Sequence, residues 1–178
     1  LPVTDGMKKL RVRLESIVEA TDRSTWRPAA SDTLLFIVAS LSDLVDRSAL
    51  DQYVIASAET DSLAASGPVY TPQGEEYAEA LRLLSERQYR QALPILEKRP
   101  DYNTALCLTQ LGYHKEASAL LDQLPVDSRK EYLHAVVSAR QGDDYLAVEH
   151  MLAACRMNPN LVLRIPLDPE LSDLIPKF

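Results

Sequence analysis

Three stretches of the chain repeat the same residues at fixed spacing. Each stretch ends in an alanine, and the three are Ala92, Ala117 and Ala147. A larger apolar residue follows each alanine by four positions, and a tyrosine precedes each by fifteen. The apolar residues are Leu96, Leu121 and Met151, and the tyrosines are Tyr77, Tyr102 and Tyr132. Self-similarity of this kind indicates an architecture of repeated units, and it constrains the fold more than any single motif does.

Apolar residues around the repeats recur at helical spacing, and the connections are long enough only for tight turns. The predicted helices cover residues 74–86, 89–98, 102–111, 114–123, 128–141 and 144–157. Gly112 and Gly142 directly follow two of these helices, where a residue that adopts a positive φ without steric cost is favoured. We therefore expect three antiparallel helix pairs, with each alanine at the closest approach of its two helices.

The segment before the repeats is also predicted to be helical. Its apolar residues predict an amphipathic helix over about 5–20. A second helix is predicted from Ser31 or Asp32 to about Val45, although the apolar run also allows a β-strand over 33–39. A third helix is predicted over about 47–58.

Composition divides the chain into four parts. Residues 63–74 are rich in small residues, proline and glycine, and they are the best candidate for a linker. The linker separates an N-terminal helical segment, 1–62, from the three helix pairs, 75–160. Residues 161–178 form a predicted capping segment, with a last short helix that starts at Asp168 and has Pro169 in its first turn.

Charge and glycine content exclude several classes of function. The net charge is −7, from 19 basic and 26 acidic residues, and both sides of Tyr70 are acidic. Nucleic-acid binding is therefore disfavoured. With only 5 glycines, no GxGxxG or Walker loop can be written, which argues against phosphate-loop enzymes. No apolar run reaches the length of a bilayer span, so we expect no membrane insertion.

Candidate catalytic and metal-binding residues are few. The two cysteines, Cys107 and Cys155, fall on apolar faces of predicted helices and are expected to be small buried hydrophobes. The three histidines, His114, His134 and His150, lack metal-ligand spacing, so structural or exposed positions are favoured. No GxSxG motif is present. We expect no catalytic residue, no metal and no cofactor.

The third copy of the repeat carries a family pattern. Five of its residues stand at the spacing of the tetratricopeptide repeat. They are the glycine, the first alanine, the larger apolar residue, the second alanine and the closing proline, at Gly142, Ala147, Met151, Ala154 and Pro159. The second copy keeps Gly112, Ala117 and Leu121, whereas Arg87 replaces the glycine in the first. The successive repeat alanines are 25 and 30 residues apart, where the family repeats every 34. Over about 74–160 the chain resembles this family, which implies an all-α fold, a short α-α superhelix of stacked helix pairs.

A narrower resemblance concerns residues 101–108, 132–142 and 167–171. These stretches look like the C-terminal repeat region of OmpA-like cell-envelope proteins of Bacteroidetes, some of them linked with fimbriae. The resemblance implies that this chain is the last part of a larger envelope protein, on the periplasmic side of the outer membrane. The start at Leu1, without Met or a signal pattern, fits that expectation. The peptidoglycan-binding domain of such proteins is not visible, so its activity is not carried over.

The equivalent tyrosines are the candidate partner-binding residues. In a right-handed stack of helix pairs the first helices line the concave face, so Tyr77, Tyr102 and Tyr132 could hold an extended peptide or a partner helix, with Thr109 and Arg140 as further contacts. The favoured alternative is that the tyrosines pack between neighbouring pairs. Four residues after each tyrosine stand Leu81, Leu106 and Val136, so the Lys and Asn of the family's peptide-carboxylate clamp are missing.

The sequence therefore favours a protein-interaction or scaffolding module without catalytic activity, binding a protein or peptide partner as part of a larger assembly. A structural accessory region of an OmpA-like or fimbria-associated envelope protein is the alternative. An enzyme with a site around Trp26, between the N-terminal segment and the repeats, is disfavoured. The oligomeric state and the partner's identity are not predicted.

Overall fold

The computed structural model describes residues 39–55 and 69–177, and the described chain is mostly helical, as predicted. The α-helices are α1 (Pro72–Ser85), α2 (Tyr89–Leu96), α3 (Tyr102–Leu111), α4 (His114–Gln123), α5 (Ser128–Gln141), α6 (Asp144–Met157) and α7 (Leu161–Arg164). Short 3₁₀-helices cover Leu41–Leu44, Arg47–Tyr53, Ile165–Leu167 and Ser172–Lys177. Strands β1 (Val54–Ile55) and β2 (Val69–Tyr70) pair antiparallel, with Val54 opposite Tyr70. No helix in these ranges is long and apolar enough to cross a membrane.

The described residues form two compact units. The four-helix unit contains residues 44–55 and 69–124, with α1 to α4. The C-terminal unit contains residues 39–43 and 125–177, with α5 to α7. The predicted division of the chain at 63–74 stays a prediction. The predicted helix over 5–20, Trp26, most of the predicted helix or strand after Ser31, and residues 63–68 lie outside the described ranges.

Four helices, α3 to α6, begin and end at the predicted residues. Helix α1 begins two residues earlier than predicted because the Thr71 hydroxyl accepts a hydrogen bond from the Gly74 amide (3.0 Å). Pro72 then occupies the first turn, where its missing N–H leaves no bond unmade. Helix α2 ends at Leu96, two residues early, because the chain tightens into i→i+3 bonds from Lys98 and Arg99.

The turns between α1 and α2, α3 and α4, and α5 and α6 share one hydrogen-bond pattern. In each, an amide past the helix end donates to a carbonyl five residues back. The bonds are Gln88 to Leu83 (2.8 Å), Tyr113 to Leu108 (2.9 Å) and Asp143 to Ser138 (3.0 Å). The preceding residue has a left-handed backbone, with φ of 61° at Arg87, 86° at Gly112 and 82° at Gly142. The role predicted for the two glycines is confirmed, and Arg87 adopts the same turn in the first pair.

The repeat residues lie in the cores of the units. Every repeat alanine and every larger apolar residue after it is fully buried; these are Ala92, Ala117, Ala147, Leu96, Leu121 and Met151. Helix α5 is buried over nine consecutive residues, Lys130 to Ser138. A helix covered on most sides is central in its unit, whereas α6 buries one stripe only, at Ala147, Met151 and Ala154. Cys107 is buried as predicted, and Cys155 is partly buried.

Two predicted helices are wrong. The helix predicted over 47–58 is a 3₁₀-helix that ends at Tyr53, because Val54 and Ile55 are β-branched residues that pair with β2. The last helix does not start at Asp168. The Asp168 side chain accepts a hydrogen bond from the Glu170 amide (2.9 Å), and this bond closes an Asx-turn. A 3₁₀-helix begins only at Ser172.

Candidate functional site

Tyr77 lies in the interior of the four-helix unit and is only 3% exposed. Its hydroxyl donates to the Asp101 carboxylate and accepts from Asn103 Nδ2 (2.8 Å). Asp101 is the N-cap of α3, where it accepts the Thr104 amide (3.0 Å). Asn103 in turn exchanges two hydrogen bonds of 2.8 Å with the backbone of Asp46. Tyr77 therefore joins α1 to the start of α3, and burial raises the pKa of its hydroxyl far above the usual range.

Tyr132 makes an equivalent contact in the C-terminal unit. It is fully buried in α5, and its hydroxyl donates to Asp168 Oδ2 at 2.7 Å. The Arg164 guanidinium lies 5.3 Å from the centre of the Tyr132 ring and donates to the Ser40 carbonyl (2.7 Å). Burial raises the pKa of Tyr132 and of Asp168, because each charged form would lose water. Both tyrosines thus bond the aspartate that begins a following helix or turn.

These positions support the packing interpretation of the tyrosines. The residues one turn further along the first helices are buried as well, namely Leu81, Leu106 and Val136. Thr109 is fully buried and bonds the Ala105 carbonyl at 2.8 Å. The face predicted to bind a partner is therefore largely interior within the described units, and in α1 the exposed residues, such as Glu79 and Arg82, lie outside that face. Tyr132 and Thr109 offer no surface to a partner in this conformation, and Tyr77 exposes only a small part of its side chain.

The other two candidate residues keep partial exposure. Tyr102 is half-buried at the start of α3. Arg140 is partly exposed, and its guanidinium makes two hydrogen bonds of 2.5 and 2.6 Å to the Glu170 carboxylate. Bidentate pairs of this kind hold a guanidinium in place. Partner binding by Tyr102 and Arg140 stays a prediction.

Two histidines of the C-terminal unit stack on each other. The rings of His134 and His150 are 4.0 Å apart with an angle of 17° between their planes. His150 Nδ1 lies 2.6 Å from the Glu131 carboxylate, and Lys130 Nζ lies 3.4 Å from it. Burial acts to raise the pKa of Glu131, but the contacts with His150 and Lys130 together hold it below its usual value. Among the described residues, no group of three or more His, Cys, Asp or Glu side chains is placed so that it could hold a metal ion.

The four-helix unit contains a small open cavity of about 210 Å³, here called the Arg99 pocket. It is lined by Tyr53, Gln73, Glu76, Tyr77, Ile95, Lys98 and Arg99. Tyr53 and Tyr77 are the most buried of these residues and are here called the floor of the pocket, and the centres of their rings are 5.1 Å apart. Arg99 lies over the Tyr53 ring at 5.3 Å, and Lys98 pairs with Glu76 at 2.6 Å. Position 74 requires glycine, because a Cβ on Gly74 would lie only 2.6 Å from Tyr53 Cβ.

Sequence reasoning missed this pocket. Tyr53 precedes the helix pairs and Arg99 follows α2, so no local sequence pattern links them. The β1–β2 pairing brings Tyr53, which directly precedes β1, close to the start of α1. The Thr71 amide donates to the Tyr53 carbonyl at 2.9 Å, which extends that pairing. A two-residue strand gives too short a hydrophobic pattern to be identified in advance.

Helix α6 leaves apolar side chains at the surface. Tyr145 is 75% exposed, Leu152 is 38% exposed, and Val148 between them is partly exposed. They line a shallow depression together with Asp144 and Glu149, and these five residues are here called the α6 surface. Beyond it, Val162 and Leu163 of α7 are also exposed. The predicted apolar pattern of α6 did not separate these residues from the buried stripe, because both recur at helical spacing.

Comparison with known proteins gives no match to a protein family, a curated protein or a solved structure.

Proposed function

We propose that this chain is a protein-interaction module of a larger assembly, made of tetratricopeptide-like helix pairs and without chemistry of its own. The three identical turns and the buried repeat alanines support a common origin of the pairs in one repeated unit. In this proposal the pairs stack as a short superhelix, and the second helix of the third pair is left for a partner.

The α6 surface is the observation that carries the proposal. Tyr145, Val148 and Leu152 recur at i, i+3 and i+7, which aligns them on one side of the helix. Anchors at this spacing are typical of helix-in-groove recognition. Covering them removes apolar area from water, at about 25 cal/mol for each Å². The carboxylates of Asp144 and Glu149 at the edge favour an amphipathic helix with basic flanking residues as the partner.

Photo-crosslinking tests this surface. Benzoylphenylalanine in place of Tyr145 is expected to give one discrete adduct in cells of the source organism, because the ring lies in the contact. The matched control carries the same probe at Tyr113, a tyrosine of the four-helix unit with 49% exposure. Adding Leu152→Asp to the Tyr145 probe should abolish the adduct. Equal adducts from both positions, or none from Tyr145, would argue against the proposal.

A structural accessory region of a cell-envelope protein is the second candidate. The observation in its favour is that Tyr77 and Tyr132 are locked to aspartates in the interior, which rigidifies the units and does not provide a groove. This candidate requires a lipoprotein signal or an OmpA-type domain in the full-length gene product. A complete reading frame that lacks both would rule it out.

A further inference from the structure

The Arg99 pocket has the features of a ligand site that the proposed function does not use. We propose that it binds a small aliphatic carboxylate, about the size of a leucine residue, with the carboxylate on the Arg99 guanidinium and the aliphatic body against Ile95 and the exposed parts of the two tyrosines. The pocket belongs to the four-helix unit and shares no residue with the α6 surface. The two proposals therefore stand or fall separately.

The first step of the argument concerns the floor of the pocket. Tyr53 and Tyr77 are both almost fully buried, so their rings are held by the core and not by a ligand. The Tyr77 hydroxyl is engaged by Asp101 and Asn103, which fixes the ring. Ile95 adds an aliphatic wall. A preformed apolar floor accepts a ligand without the cost of ordering side chains.

The second step concerns charge. Three charged residues line the pocket, and two of them, Glu76 and Lys98, pair with each other at 2.6 Å. Arg99 is the third, and within residues 39–55 and 69–177 no ion pair engages it. Its contact is the Tyr53 ring, which orients the guanidinium of this exposed residue beside the pocket that it lines. A guanidinium held in this way has its planar set of donors available for a carboxylate.

The third step concerns size. A volume of about 210 Å³ is below the 300–1,000 Å³ of sites for drug-sized ligands. It accommodates one branched aliphatic group with its carboxylate. Gln73, an exposed residue of the lining, has a side-chain amide that can bond an amide group of the ligand next to the carboxylate. The lining is positive by one charge in a chain whose net charge is −7, so the site selects an anion by its local field.

The experiment is a titration of the whole chain with 4-methylpentanoate, followed by the backbone amide signals in NMR. We expect saturable shifts centred on Tyr53, Ile95 and Arg99. The neutral analogue 4-methylpentanamide should bind about tenfold more weakly, because a charge-assisted pair is lost. Arg99→Gln should weaken the acid by a similar factor and leave the amide unchanged. Arg90→Gln, an exposed arginine of α2, is the control with the same change in net charge.

A second arm distinguishes the source of the carboxylate. Acetyl-Gly-Gly-Leu with a free C-terminus is titrated beside its C-terminal amide. Tighter binding of the free peptide than of 4-methylpentanoate identifies a peptide terminus as the ligand, and the reverse order identifies a small acid. Equal binding of the acid and the amide, unchanged binding in Arg99→Gln, or the absence of shifts at these residues would overturn the proposal, whatever the crosslinking at Tyr145 shows.

Discussion

At the scale of single residues, a buried tyrosine bonded to an aspartate recurs in both units. Tyr77 bonds Asp101 and Tyr132 bonds Asp168, so equivalent positions of the repeat do equivalent work. The sequence predicted that the tyrosines are equivalent, because their offset from the repeat alanine is constant. It could not predict the aspartates, which lie at different distances along the chain, since the segments that separate them from the tyrosines differ in length.

Removing one of these hydroxyls tests the role of the contact. Tyr132→Phe leaves Asp168 Oδ2 buried without the tyrosine donor, while Oδ1 keeps the Glu170 amide, and we expect the free energy of unfolding to fall by about 1–3 kcal/mol. The control is Tyr145→Phe, where the hydroxyl bonds Glu149 at an exposed site and the change should stay within about 0.5 kcal/mol. Urea denaturation measures both variants. An equal loss of unfolding free energy in the two variants would show that the buried bond contributes no more to stability than the exposed one.

Alkaline pH tests the same two phenols together. Burial raises the pKa of Tyr77 and of Tyr132 in the folded chain above the value of about 10 found in unfolded chains. The folded state then holds these protons more tightly, so their contribution to stability is complete below pH 10 and is lost as the pH rises beyond it. We expect the phenolate absorbance of Tyr77 and Tyr132 to appear only above pH 10, together with loss of helicity. A single step for all 8 tyrosines near pH 10, with helicity retained, would be the opposite result.

At the scale of elements, the helix ends were the most predictable features. The starts of α3, α5 and α6 follow from a local signal, an aspartate that caps each helix, and a glycine ends α3 and α5. The β1–β2 pairing and the 3₁₀-helix at Arg47–Tyr53 could not be predicted, because they depend on contacts between distant parts of the chain. Asp168 misled the prediction since the same side chain can cap a helix or close a turn.

The first turn of the repeat gives a prediction at this scale. Arg87 has a φ of 61°, a conformation that costs a residue with a side chain about 1–2 kcal/mol, whereas Gly112 holds the equivalent position without that cost. Arg87→Gly should therefore raise the free energy of unfolding by about 0.5–1 kcal/mol after the added flexibility of the unfolded chain is subtracted. Gly112→Ala should lower it by about 1 kcal/mol. Thermal unfolding measures both, and a loss of stability in Arg87→Gly would contradict the equivalence of the turns.

At the scale of the whole molecule, the sequence predicted a mostly helical chain but not which faces are covered. The first helices were expected to line a groove, and α5 is buried over nine consecutive residues. Local periodicity shows that one side of a helix is apolar. Whether that side is buried depends on the elements that pack against it, and these are set by the fold of the whole unit. Two of the exposed apolar side chains of the described residues, Tyr145 and Leu152, lie on the second helix of the third pair, a side that periodicity alone did not distinguish from the buried stripe.

The size of the native complex tests the central claim most directly. In extracts of the source organism, the full-length protein is expected to migrate as a complex larger than its own mass. Leu152→Asp should lower the affinity of that complex by about tenfold or more, because a charge replaces an apolar side chain that the partner would bury. Val126→Asp places the same change at an exposed aliphatic residue of the C-terminal unit that belongs neither to α6 nor to the α6 surface, and should leave the complex intact. A complex that persists in Leu152→Asp, or that is lost equally in Val126→Asp, would contradict the assignment of the α6 surface as the binding site.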